Sequence, residues 1–384
     1  MSSPDISALV AIRHDLHANP ELCFEEFRTA KIIAGELARI GVPFVAGIAG
    51  TGIVATISKG TGRRVMAIRA DMDALPIHET TNLPYASQTA GKMHACGHDG
   101  HTTMLLGTAR HLLQNVDFDG RVYLIFQPAE EDVSGAKRMI EEGLFKRFPC
   151  HAVFALHNIP GDDVGQVTVR PGAITAAVDI VEIAIRGVGG HGAIPHRAVD
   201  PIVASAGIVQ ALQSIVGRNV DPLDSVVITV GSIHAGTLAT IIPGEVEMKV
   251  GVRTCTKGVR ELVKQRIIGL VEAQAKSYGC HADISYNPGI SYPPGFNTPA
   301  HAQLVREVAL ELGQEAARVD LRGPYMFSED FAFMQEAVPS CYFGMGNGAS
   351  RNLHDAGYDF NDELLIKGPQ FWGRLVERFF GSDV

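Results

Sequence analysis

Five side chains able to bind a transition metal fall within the ten residues 92–101, KMHACGHDGH: His94, Cys96, His98, Asp99 and His101. Thiolate and neutral imidazole are the usual protein ligands for zinc and its neighbours. Cys96 and His98 stand two residues apart, a spacing that lets both reach one ion from an extended or turning backbone. A histidine-rich surface loop beside a buried cysteine would read the same way, so partners elsewhere in the chain decide the matter.

The segment FQPAEED places Glu130 and Glu131 after an apolar strand and a proline. Consecutive residues cannot face the same way, so one carboxylate can bind a metal while its neighbour stays free. A free carboxylate beside a water acidified by a metal, with its pKa brought toward ~7, is the general base of many metallohydrolases. His157 ends the apolar run AVFALH, and His354 lies in the loop SRNLHDAGYDF. Each alone would pass for a histidine that hydrogen-bonds a loop or water, as the acidic pair alone would pass for a solvated turn. Together, Cys96, His98, Glu131, His157 and His354 make a soft and borderline ligand set large enough for two ions, with Glu130 left over as base.

The elements that must position these groups alternate through the first 180 residues. TAKIIAGELARIG and HTTMLLGTARHLLQ have helical period, and GIVATIS, RRVMAIRAD, GRVYLIFQ and HAVFALHNI read as strands. Asp71, Glu130 and His157 all sit where a strand gives way to a loop, the place where open α/β sheets gather functional groups. From about Val178 the order becomes strand, helix, strand, strand, helix, strand, the βαββαβ order of a ferredoxin-like unit. The Pro- and Gly-rich NPGISYPPGFN then reads as a return linker. Helix, strand and helix resume in PAHAQLVREVALELG, SCYFGMG and ELLIKGPQFWGRLVERFF. The expected fold is α/β: a discontinuous domain (1–180 and 292–384) with a mixed sheet and flanking helices, interrupted by a ferredoxin-like βαββαβ domain over 181–291.

The segments RADMDALPI, KMHACGHDGHTTMLLGTA, QPAEED, GVGGHGAIPHRAVDPI, FSEDFAFM and NLHDAGYDFNDELL, in this order, resemble the M20 metallopeptidase family. The resemblance is to its aminoacylase and amidohydrolase branch, which includes hippurate hydrolases and plant auxin-conjugate hydrolases. It implies that Cys96 bridges two metals, that His98, Glu131, His157 and His354 complete the coordination, and that Glu130 is the general base. His94 and His101 would then support or pack. Asp71 and Asp73 would orient a ligand or a loop, although a plain strand-end turn would also account for them. The resemblance further implies that the inserted domain is a lid that forms a dimer or tetramer. His191, in GVGGHGAIPH, would reach the partner subunit's site to stabilise an oxyanion. Arg253 would bind a substrate carboxylate. Relatives commonly carry Asn-Val-Ile-Pro where this chain reads TIIP, so the contact expected of that asparagine is in doubt at Thr240.

Composition narrows the partners. A net charge of −9 without a Lys/Arg cluster is a poor match for nucleic acid or an anionic membrane. No stretch approaches the roughly 20 apolar residues of a membrane span. Six scattered cysteines show no paired close spacing, so reduced thiols and a cytoplasmic protein are expected. The expected reaction is hydrolysis of an N-acyl amino acid with two divalent ions, Zn, Mn, Co or Ni. A dipeptidase, a catalytically silent metal-binding scaffold and a structural zinc site with a redox-sensing Cys96 stay open beside it.

Overall fold

The structure, a computed structural model, describes residues 3–131, 134–289 and 291–381. The chain divides into two compact units. The first comprises Met1–Ile174, Phe296–Gly323 and Asp330–Val384, and the second Thr175–Gly295 with Pro324–Glu329. That Pro324–Glu329 joins the second unit has no counterpart in the sequence pattern.

The first unit is built on a seven-stranded mixed sheet. Its order is Phe44–Ile48, Gly52–Lys59, Gly120–Gln127, Val65–Asp71, Ala152–Pro160, Ser340–Gly348 and Val167–Thr168. The four strands from Gly120–Gln127 to Ser340–Gly348 are mutually parallel, and antiparallel pairs flank them on each side. Every residue of Ser340–Gly348 and seven of the nine in Ala152–Pro160 are buried, which is why both strands read as near-continuous apolar runs: parallel strands are covered on both faces. The core unites residues from both ends of the chain, among them Leu9, Ile68, Leu105, Phe154, Phe343, Trp372 and Phe379. The parallel strands run in one direction, so their carboxyl ends collect on one edge. In register, Asp71 stands beside Gln127 and His157 beside Gly344.

The second unit is a four-stranded antiparallel sheet in the order Val226–Ala235, Glu245–Thr254, Ala177–Arg186, His281–Tyr286. The helices Pro201–Arg218 and Lys257–Ser277 cover one face. Burial alternates along Ala177–Arg186 and Glu245–Thr254, as expected of strands with one covered face. Val181, Ile183, Ile185, Val246, Met248 and Val250 meet Ile208, Leu212, Val263 and Ile267 in its core. Local chemistry sets the helix starts. Asp200 accepts from the Ile202 N–H at 2.9 Å with Pro201 in the first turn, and Thr256 accepts from the Val259 N–H at 3.3 Å. Among the described residues no helix is long and apolar enough to cross a membrane.

Candidate functional site

Between Cys96 and His98 the backbone turns through Gly97, at φ 91°, which caps the helix His98–Asn115. A Cβ there would lie 2.6 Å from Asn158 Oδ1 and 2.8 Å from the Tyr358 hydroxyl, so only glycine both takes the left-handed angle and leaves room. Cys96 and the first residue of the helix thus lie side by side in the interior, both buried. His98 turns Nδ1 to Asp73, 3.0 Å from its carbonyl oxygen and 3.2 Å from Oδ1, which leaves Nε2 buried without a hydrogen-bond partner among the described residues. His157, from the strand Ala152–Pro160, places Nδ1 2.8 Å from the Asn158 carbonyl oxygen and Nε2 3.3 Å from Cys96 Sγ. Engaging one imidazole nitrogen with a fixed acceptor orients the other for a metal.

The acidic pair leaves the sheet through Pro128 and Ala129. Ala129 has φ 54°, an angle sparsely populated outside glycine, and its N–H is held by Glu26 at 2.9 Å. The Glu131 N–H donates to Asp73 Oδ2 at 3.0 Å, and its Oε1 is buried without a hydrogen-bond partner among the described residues. Glu130 Oε1 accepts from the Asp330 N–H at 3.3 Å. His354, also left-handed at φ 64°, is tethered by its N–H to the Ala95 carbonyl at 2.8 Å, and its Nε2 lies 3.4 Å from Glu131 Oε2.

Donor atoms of Cys96, His98 and His157 lie within 4.8 Å of one another, as do those of Cys96, Glu131 and His354, and those of His98, Glu130 and Glu131. All five sequence-derived ligands and the candidate base therefore share one cluster. Its electrostatics favour a cation. Burial and the carboxylates of Glu131, Glu130 and Asp71 push the Cys96 thiol well up. Burial opposes protonation of His98, but Asp71, Asp73 and Glu131 outweigh it and carry that pKa up to about 10. Burial holds His157 well below the usual imidazole range, in the neutral form a ligand needs. Two buried polar atoms without hydrogen bonds among the described residues, His98 Nε2 and Glu131 Oε1, face each other across 3.8 Å beside a thiol and excess negative charge. These residues fit divalent metal ions.

Asp71 and Asp73 both touch this cluster. Asp73 binds His98 and Glu131 and also accepts from Cys23 Sγ at 3.3 Å. Asp71 lies 2.6 Å from His101 Nδ1 and accepts from Arg69 at 2.6 Å. His101 reaches Asn158 Oδ1 at 2.6 Å with its other nitrogen, whereas His94 is buried with neither ring nitrogen hydrogen-bonded among the described residues, and burial lowers its pKa to about 4.

His191 and Arg253 belong to the second unit. His191 is exposed on the short strand Gly190–His191, opposite Ile241, and its Nδ1 accepts from the Ala193 N–H at 3.0 Å. Thr240 holds the loop through its carbonyl oxygen, which accepts from the Gly192 N–H at 2.8 Å, so the main chain does not need an asparagine here. Arg253 is half-buried and donates to the Ser328 hydroxyl at 2.5 Å. It has no carboxylate partner among the described residues.

Sequence reasoning passed over Arg69, Gln127 and Asp330, which form a buried hydrogen-bonded group behind the acidic pair. The available signal was a charge inside an apolar strand, MAIRAD, where burial demands a partner.

The model of peptidase family M20/M25/M40 matches residues 67–378. A hippurate hydrolase of Campylobacter jejuni is 40% identical over 369 residues, covering 96% of this chain and 95% of its own. An N-acetylcysteine deacetylase of Bacillus subtilis is 38% identical over 374 residues and 96% of each chain. Among solved structures, a Bacillus subtilis protein described as a dinuclear metal binding peptidase from the M20 family superposes with a TM-score of 0.87 at 33% identity, covering 99% of both chains.

Proposed function

The chain belongs to peptidase family M20/M25/M40, and from that premise we propose that it is a metal-dependent amidohydrolase that splits N-acyl-L-amino acids into a carboxylic acid and a free amino acid. One observation carries the reading. Among the described residues, His98 Nε2 and Glu131 Oε1 are buried without hydrogen bonds next to Cys96 Sγ, while the adjacent Glu130 is held from behind by the Asp330 N–H. A storage or structural site has no use for such a positioned extra carboxylate. Relatives named for hydrolysis of hippurate and N-acetylcysteine support the substrate class.

Cys96, His98, Glu131, His157 and His354 would hold two ions. Divalent cations held there would polarise the acyl carbonyl and acidify a water. Glu130 takes the proton from that water and returns it to the leaving amine, so one carboxylate serves as base and then as acid. His191 donates to the developing oxyanion across a dimer built by the second unit, acting as a lid. The lid is a ferredoxin-like domain, a reading supported by its βαββαβ order. Exposed Ile202, Val203, Leu238 and Ile241 on that unit support its role in assembly. Arg253, engaged by a hydroxyl and by no described carboxylate, binds the carboxylate of the substrate. Six cysteines without a disulfide support a cytoplasmic setting.

The test is a panel of N-acetyl, N-benzoyl, long-chain acyl and indole-acetyl amino acids plus dipeptides, incubated with protein loaded separately with Zn, Mn, Co and Ni, and scored for released amine. Release from N-acyl amino acids above dipeptides is expected. Release from dipeptides alone, or from none with any metal, would refute the assignment.

A further inference from the structure

The strand Val65–Asp71 carries a guanidinium into the sheet with its side chain fully buried. Arg69 donates Nη1 to Asp71 Oδ2 at 2.6 Å, Nε to Gln127 Oε1 at 2.8 Å and Nη2 to Asp330 Oδ1 at 3.0 Å. The Asp330 carboxylate also accepts from Gln127 Nε2 at 2.8 and 2.9 Å and from the Ala136 N–H at 2.8 Å. Its backbone N–H in turn donates to Glu130 Oε1. At the other end of the guanidinium, Asp71 contacts His101 and lies 3.8 Å from His98 Nε2.

A fully buried arginine between two fully buried aspartates is expensive to desolvate, and an apolar replacement of the set is often as stable or more so. Its presence therefore asks for a reason beyond stability. The turn it serves is strained at Ala129, and Gly135, whose N–H binds the Ala129 carbonyl at 2.8 Å, admits no side chain: a Cβ would lie 1.7 Å from the Pro128 carbonyl oxygen. Asp330 grips both sides of this turn, Gln127 before it and Ala136 after it, while its own N–H meets the carboxylate the turn presents.

We propose that Asp330 and Arg69 are positioning residues for Glu130: the guanidinium ties the group that holds the Glu130 carboxylate to Asp71, so one rigid buried network sets the base relative to the histidine at the helix start. This inference rests on the reading of Glu130 as the base. Neither residue touches substrate; each acts through the placement of Glu130, where a misplacement of about 1 Å can cost on the order of 10²-fold in rate.

The test is a double-mutant cycle on the metal-loaded enzyme with an N-acyl amino acid substrate. Asp330→Asn is expected to lower kcat by about 10-fold or more with KM within about twofold and metal content unchanged. Glu130→Asp, whose shortened carboxylate no longer reaches the Asp330 N–H, lowers kcat on its own. In that background Asp330→Asn should then cost less than about twofold, because coupled residues are not additive. The same fold loss in both backgrounds, or an unchanged kcat in folded Asp330→Asn, would overturn the proposal. If Asp330→Asn does not fold, Gln127→Met removes the amide bonds while leaving the ion pairs, and the cycle is read with it on the same criteria. Full turnover by Glu130→Gln would instead remove the base reading itself, and this inference with it.

Discussion

Asp73 holds two members of the metal-binding cluster at once: its carboxylate lies 3.2 Å from His98 Nδ1 and accepts the Glu131 N–H at 3.0 Å. The pairing leaves His98 Nε2 and Glu131 Oε1 3.8 Å apart, too far to hydrogen-bond and near enough for one ion ~2 Å from each.

With His98 and Glu131 as the proposed ligands, Asp73 would act on metal affinity by orienting both. Asp73→Asn should weaken binding of the tighter metal by about 10- to 100-fold, the usual cost of losing a partner that orients ligands. Competition titration against a chelator measures it, and an unchanged dissociation constant would show that His98 and Glu131 are held by other contacts.

Glu26 predicts a pH dependence of stability. Burial, opposed by the Thr51 hydroxyl and aided by the charge of Asp73, raises its pKa from 4.5 to about 7. A folded-state pKa above the unfolded one means the folded protein binds more protons between those values. The stabilisation is thus fully present below about 4.5 and is lost as pH rises to about 7. Glu26→Gln keeps an acceptor for the Ala129 N–H and cannot ionise. In metal-stripped protein its Tm should gain on wild type by several degrees between pH 5 and pH 8. A Tm difference that does not change with pH would contradict this.

How much of this could be read beforehand depended on how far each feature reaches along the chain. Ala152–Pro160 and Ser340–Gly348 are legible because burial on both faces demands apolar runs, and Ala177–Arg186 because one covered face demands alternation. The helix Ser3–Ala18 is not, since it buries Arg13 and His17 alongside Leu9 and Leu16 and so lacks a clean apolar stripe. The edge strand Phe44–Ile48, exposed at three of its five positions, carries little pattern either. At the site, Cys96, His98 and Glu131 are legible by residue type and spacing. The Arg69–Asp330 pair spans 261 residues, and no local signal announces which acid would meet that arginine.

The proposed role of His191 across a dimer predicts complementation. His191→Ala and Glu130→Ala should each be nearly inactive alone. After subunit exchange, half the dimers are mixed and each mixed dimer has one complete site, so about a quarter of wild-type activity should return. No recovery, with native mass measurements confirming mixed dimers, would place His191 within its own chain's site or outside the reaction.

The most direct measurement compares wild type with Glu130→Gln for bound metal by elemental analysis and for turnover of an N-acyl amino acid. With Glu130 as the proposed base and not a ligand, metal content is expected to be unchanged and turnover to fall on the order of 10²-fold or more. Loss of metal from Glu130→Gln, or full turnover by it, would contradict the assignment of Glu130 as the general base of a metal-dependent amidohydrolase.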